Sequence, residues 1–155
     1  IPVFHDDQHG TAIVVGAAAT NAMIVAGKKF QDIKVVSTGG GAAGIACLEM
    51  LVKLGVKREN VWLCDLEGLV YKGRAAQMTP QKDAFAQGTS PATLTDVIAG
   101  ADLFLGLSGP GVLTPEMVAK MAPNPDAVFF KEMNLANHKG TLPRRPDLIW
   151  TNHAG

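Results

Sequence analysis

Gly39, Gly41 and Gly44 stand in the spacing G-x-G-x-x-G, with Gly40, Ala42 and Ala43 between them. The spacing has a mechanical purpose. The first glycine permits a sharp turn out of a strand, the second lets the main chain approach a diphosphate, and the third lets the next helix pack close to the sheet. The N–H groups of that helix's first turn, those of Ala42 and Ala43 included, would then point at the anion, with the positive end of the helix dipole behind them. The chemistry implied is dinucleotide binding. Asp65 ends the following apolar run, Val61-Trp62-Leu63-Cys64, and an acidic residue about 20 positions beyond such glycines is placed to accept from the hydroxyls of an adenosine ribose. That favours NAD. Lys72 and Arg74 follow closely: either they pair with a 2′-phosphate, which favours NADP, or they are the solvated face of a loop. Ser108, in Gly106-Leu107-Ser108-Gly109-Pro110-Gly111, is placed to meet the nicotinamide half unless that segment is a simple turn.

A second constellation, His5-Asp6-Asp7-Gln8-His9, crowds polar groups directly ahead of a hydrophobic stretch. Asp6 and Asp7 offer the oxygen ligands that suit Mg²⁺ or Mn²⁺. The plainer reading is that one caps a helix and the other is solvated. His5 and His9 are spaced as a zinc pair, but no third nitrogen or sulfur ligand lies nearby in the sequence, which argues against zinc.

Positioning these groups requires alternating strands and helices. The run Ile33 to Ser37 reads as a strand, Ala43 to Leu54 as a helix closed by Gly55, and Val61 to Cys64 as the next strand. Before them, Thr11 to Ala26 reads as a small-residue helix that starts near Gly10 and stops at Gly27. Thr79-Pro80 and Thr114-Pro115 each read as a cap followed by proline at the first helical position. The first opens a helix toward Gln87-Gly88, the second a helix to about Met121, and Ser90 to Ala99 gives another. Asp102 to Leu105, Ala127 to Phe130 and Leu148 to Thr151 complete the strand candidates. The alternation predicts a doubly wound α/β domain, a parallel sheet with helices on both faces and of Rossmann type.

Fourteen Lys and Arg balance fourteen Asp and Glu, so no basic field argues for nucleic acid or an anionic membrane surface. The longest apolar stretches, such as Ala12 to Ala19, fall short of the about 20 residues that span a bilayer, and a soluble chain is expected. The 155 residues fit one dinucleotide-binding domain, in which 1–27 carry the Asp-Asp segment and its helix. Two cysteines, Cys47 and Cys64, read as reduced, buried thiols of a cytoplasmic protein. The start at Ile1 without a methionine reads as a piece of something longer.

Taken together, the run Ile1 to Thr11, the segment Gly39 to Cys47, and Cys64-Asp65 with Glu67-Gly68 and Tyr71-Lys72-Gly73-Arg74 resemble the bacterial malic enzyme family. Asp102 to Ser108 with Pro110 to Thr114 extends the resemblance, which covers about residues 1–126. It implies NAD(P)-dependent oxidative decarboxylation of malate to pyruvate with Mg²⁺ or Mn²⁺. Asp7 is implied as a metal ligand and Asp6 as a catalytic residue beside a lysine that lies upstream in the family. The family's tyrosine acid, lysine base and further acidic ligands are not in this sequence, so a missing N-terminal catalytic domain is implied, together with a homo-oligomer, a dimer. Leu135-Ala136-Asn137 is followed by His138-Lys139-Gly140 where the family has Pro, which leaves Asn137 a cofactor contact by resemblance only. A malolactic enzyme and a non-catalytic dinucleotide-binding module are the alternatives.

Overall fold

The structure, a computed structural model, describes residues 3–109, 111–123 and 126–129, with Asp7 and 126–129 described by main chain alone. Helix α1 (Asp6–Ala26) comes first and ends where Gly27 turns left-handed at φ 65, with the Lys28 N–H reaching back to the Met23 carbonyl. Glycine is the residue that makes this turn without strain. The helix starts one turn earlier than Gly10, because the His5 carbonyl accepts from the N–H groups of Gln8 and His9 and winds the Asp-Asp segment into the first turn.

Strands β1 (Val35–Thr38), β2 (Val61–Asp65), β3 (Gly68–Leu69), β4 (Leu103–Gly106) and β5 (Asp126–Phe129) form one sheet in the order β3-β2-β1-β4-β5. All neighbours pair parallel except β3, a two-residue strand that turns back antiparallel on β2. Its shortness hid it from a sequence reading. In register, Val35 lies opposite Val61 on one side and Leu103 on the other.

Side-chain alternation along the strands sorts the core into two layers. Val35, Val61, Leu63, Leu103 and Leu105 pack with α1 and α2 (Ala42–Lys53), while Val36, Cys64, Phe104, Val97, Ile98 and Met121 make a second cluster. The second layer comes from α4 (Leu94–Val97) and α5 (Pro115–Lys120). The fold is therefore doubly wound, as the alternation predicts. The two threonine caps hold as well: Thr79 and Thr114 accept from the N–H three residues on, and Thr93, which the sequence reading did not single out, does the same for α4. Helices α3 (Pro80–Asp83) and α4 nevertheless run for only four residues each, because loops return both segments to the sheet edge. The strand candidate at 148–151 lies outside the described residues.

Helix α1 corrects one expectation. Its residues Gln8–Ala26 have mean hydropathy 1.4 and are long and apolar enough to cross a membrane by length and composition. In the structure Ala12, Val15, Ala18, Ala19, Ala22 and Met23 face the core, whereas Ile13, Ile24 and Val25 are exposed.

Candidate functional site

The turn between β1 and α2 does what the glycine spacing requires, residue by residue. Gly39 adopts φ 105 and its N–H bonds to the Cys64 carbonyl across β2. A Cβ on Gly44 would fall on the Gly39 carbonyl oxygen, so only glycine lets α2 sit this close to the turn. A Cβ on Gly41 would meet nothing within 4 Å, which leaves the main chain open to a ligand. Gly41 is the N-cap of α2 and no side chain caps the helix. The leading N–H groups of Ala42 and Ala43 therefore lack an internal partner.

The turn forms one wall of a cleft of about 580 Å³ beyond the C-terminal ends of the strands, which is where doubly wound sheets bind ligands. Thr38 and Asp65 line it from β1 and β2, Ser108 from the exit of β4, Gln77 from the segment entering α3, and Lys82 from α3 itself. Ser108 is exposed.

Asp65 stands at the end of β2 as the sequence places it, yet its carboxylate is already engaged. Arg74 donates to both oxygens at 2.8 and 2.6 Å, and Lys82 Nζ donates to Oδ2 at 2.7 Å and to the Gln77 carbonyl at 2.8 Å. All three side chains are at most 10% exposed. Burial works to raise the Asp65 pKa, but the hydrogen bonds from Arg74 and Lys82 outweigh it and hold the carboxyl well below the usual range. Arg74 is thus buried and committed to Asp65 rather than presented to a ligand, and Lys72 is exposed. The cation that reaches the cleft is Lys82, which the sequence reading missed. Its signal was present in the Thr79-Pro80 cap, which fixes the residue three positions beyond Thr79 against the end of β2. Gln77, the non-glycine residue with positive φ among the described residues, was also missed; at φ 51 it aims its carbonyl at Lys82.

Asp6 and Asp7 occupy the first turn of α1. Asp6 is exposed, and its carboxylate lies where a Cβ on Gly10 would fall. His9 lies obliquely against Phe4 at 5.5 Å between ring centroids, with both side chains exposed. Among the described residues no group of three His, Cys, Asp or Glu side chains is arranged to hold a metal. Both thiols are buried, and burial pushes Cys47 and Cys64 up to about 12, so neither is a nucleophile at neutral pH. Asn137 lies outside the described residues.

Comparison with known proteins agrees with this geometry. A family model described as malic enzyme, NAD binding domain, matches residues 8–133. The chain is 57% identical over 125 residues to the NAD-dependent malic enzyme of Rhizobium meliloti, covering 81% of this chain and 16% of that protein. It is 53% identical over 126 residues to the NADP-dependent malic enzyme of Salmonella typhimurium, covering 81% of this chain and 17% of that one. The crystal structure of an NAD-dependent malic enzyme from Thermotoga maritima superposes with a TM-score of 0.74 at 37% identity, covering 86% of this chain and 36% of that chain.

Proposed function

Because the chain belongs to the malic enzyme family through its NAD-binding domain, we propose that it holds the nicotinamide dinucleotide for oxidative decarboxylation of malate to pyruvate and CO₂. The observation that carries this reading is the Gly39–Gly44 turn, whose three glycines each meet their separate requirement at the mouth of the cleft. Gly41 and the uncapped N–H groups of Ala42 and Ala43 hold the diphosphate. The Asp65 end of the cleft takes the adenosine ribose, and Ser108 meets the nicotinamide half. When bound, the dinucleotide supplies the hydride acceptor for C2 of malate.

The chain spans 16–17% of the length of the two curated relatives above. The tyrosine, lysine and further acidic groups that the resemblance implies belong to a part of the protein outside this sequence. Asp7 supplies one oxygen ligand of Mg²⁺ or Mn²⁺, and Asp6 assists proton transfer beside that lysine. The described residues do not complete a cation site by themselves.

For the choice of cofactor, the two cations on Asp65 leave the trio with a net positive charge at the place where the adenosine 2′ substituent arrives. A 2′-phosphate is attracted by that excess, and ribose hydroxyls find both carboxylate oxygens already accepting. NADP is therefore the proposed cofactor. Fluorescence titration tests both statements at once. NADPH should bind more tightly than NADH, and Lys82→Gln should weaken NADPH at least about tenfold more than NADH. Failure of the chain to bind either dinucleotide overturns the functional reading, and equal loss for both overturns the choice of NADP.

A further inference from the structure

Thr38, the last residue of β1, stands immediately ahead of the glycine turn and lines the cleft, and it is 4% exposed. Its main chain is satisfied, since its carbonyl accepts from the Leu107 N–H at 2.9 Å and the strand pairs with β2 and β4 on either side. Its hydroxyl is not: among the described residues the buried Oγ1 has no hydrogen-bond partner. A buried hydroxyl without a partner is costly. Valine has the same shape and suits a central strand equally well, so packing alone gives no reason for the oxygen. The uncapped N-terminus of α2 opens beside it, across Gly39–Gly41.

We propose that the Thr38 hydroxyl is a hydrogen-bond donor to the diphosphate of the bound dinucleotide, acting together with the first turn of α2. The inference rests on the dinucleotide-binding reading above. Thr38 lines the cleft, and a diphosphate oxygen bound there is an anionic acceptor that pairs the hydroxyl left alone in its absence. The contact lies on a group that NADH, NADPH and ADP share. Its loss therefore weakens all three to the same degree and leaves the preference among them unchanged.

The test uses Thr38→Val and Thr38→Ser, with dinucleotide and ADP affinities measured by fluorescence and calorimetric titration and folding followed by thermal denaturation without ligand. Thr38→Val should bind NADH, NADPH and ADP about tenfold more weakly, with an unliganded Tm equal to or above that of the parent, because the unpaired oxygen is gone. Thr38→Ser should keep the parent affinity within about twofold. If Thr38→Val fails to fold, Thr38→Ala against Thr38→Ser makes the same comparison, and the Ala variant should be the weaker binder. Parent-like affinity in Thr38→Val overturns the inference while the parent's own binding upholds the functional reading. A loss confined to NADH and NADPH with ADP unaffected overturns the diphosphate assignment, and no binding by the parent overturns both.

Discussion

The glycine turn and the first turn of α1 are the two polar regions of this molecule that face a ligand role, and they are built in opposite ways. At the turn, every requirement is met inside the domain: Gly39 has the backbone angle, Gly44 the close approach, and Asp65 its two buried cations. At α1, Asp6 is exposed, no side chain caps the helix, and no neighbouring acid or imidazole among the described residues completes a cation site. One region is finished by its own fold; the other offers carboxylates that the described residues do not complete into a site.

The sharpest way to break that contrast is to ask the chain to turn over alone. With malate, Mn²⁺ and either NAD⁺ or NADP⁺, the 155 residues should form no detectable pyruvate, because each absent acid, base or ligand costs about 10²-fold or more in rate. Sustained pyruvate formation would mean that α1's first turn is a complete site. Next in size, Gly44→Val should destabilise the fold by about 3 kcal/mol, since its Cβ would collide with the Gly39 carbonyl. Gly41→Val should leave Tm unchanged, because its Cβ meets open space, and should still abolish dinucleotide binding. Thermal melts and titrations on the pair separate the two roles; parent-like dinucleotide affinity in Gly41→Val would show that the open space at Gly41 is not a ligand's.

Arg74→Met removes one of the two cations on the buried Asp65 and should cost about 3 kcal/mol at neutral pH. The acid limb checks the cause. Asp65 titrates lower in the folded state than in the unfolded chain, so its contribution is fully present above about pH 4 and is lost as the pH falls toward and through the depressed folded value. The parent's stability should decline steeply below about pH 4, and Arg74→Met should flatten that decline. Identical acid limbs in the two proteins would sink the assignment.

What the sequence discloses follows the same divide. The glycine turn was legible because its demands are local: three glycines at fixed offsets, a strand before and a helix after. The doubly wound sheet was legible from the alternation of apolar runs. The state of Asp65 was not, because its partners lie 9 and 17 residues away and meet it only after two turns have folded. The same holds for the orphaned hydroxyl of Thr38, since an unpaired donor is a property of the packed strand exit. The start of α1 was misjudged for the converse reason: polar residues argue against a helix locally, yet hydrogen bonding to the His5 carbonyl extends the helix through them.

The smallest expected effect is the one that most directly weighs α1's first turn against the glycine turn. Asp6→Asn keeps shape and removes charge at an exposed carboxylate that makes no cap bond to the helix and forms no salt bridge among the described residues. If the residue is there to serve chemistry completed elsewhere, the chain itself should hardly register the change. Tm should move by no more than about 2 °C, and dinucleotide affinity should stay within about twofold. The helix dipole predicts the direction: a carboxylate at the N-terminus is favourable, so any shift should be a slight loss, smaller in high salt. In the longer enzyme the same substitution should lower turnover at unchanged dinucleotide affinity. A large Tm drop in the chain alone would make Asp6 a structural residue, and the contrast between a self-sufficient cradle and a carboxylate that the fold itself does not need would fail at that point.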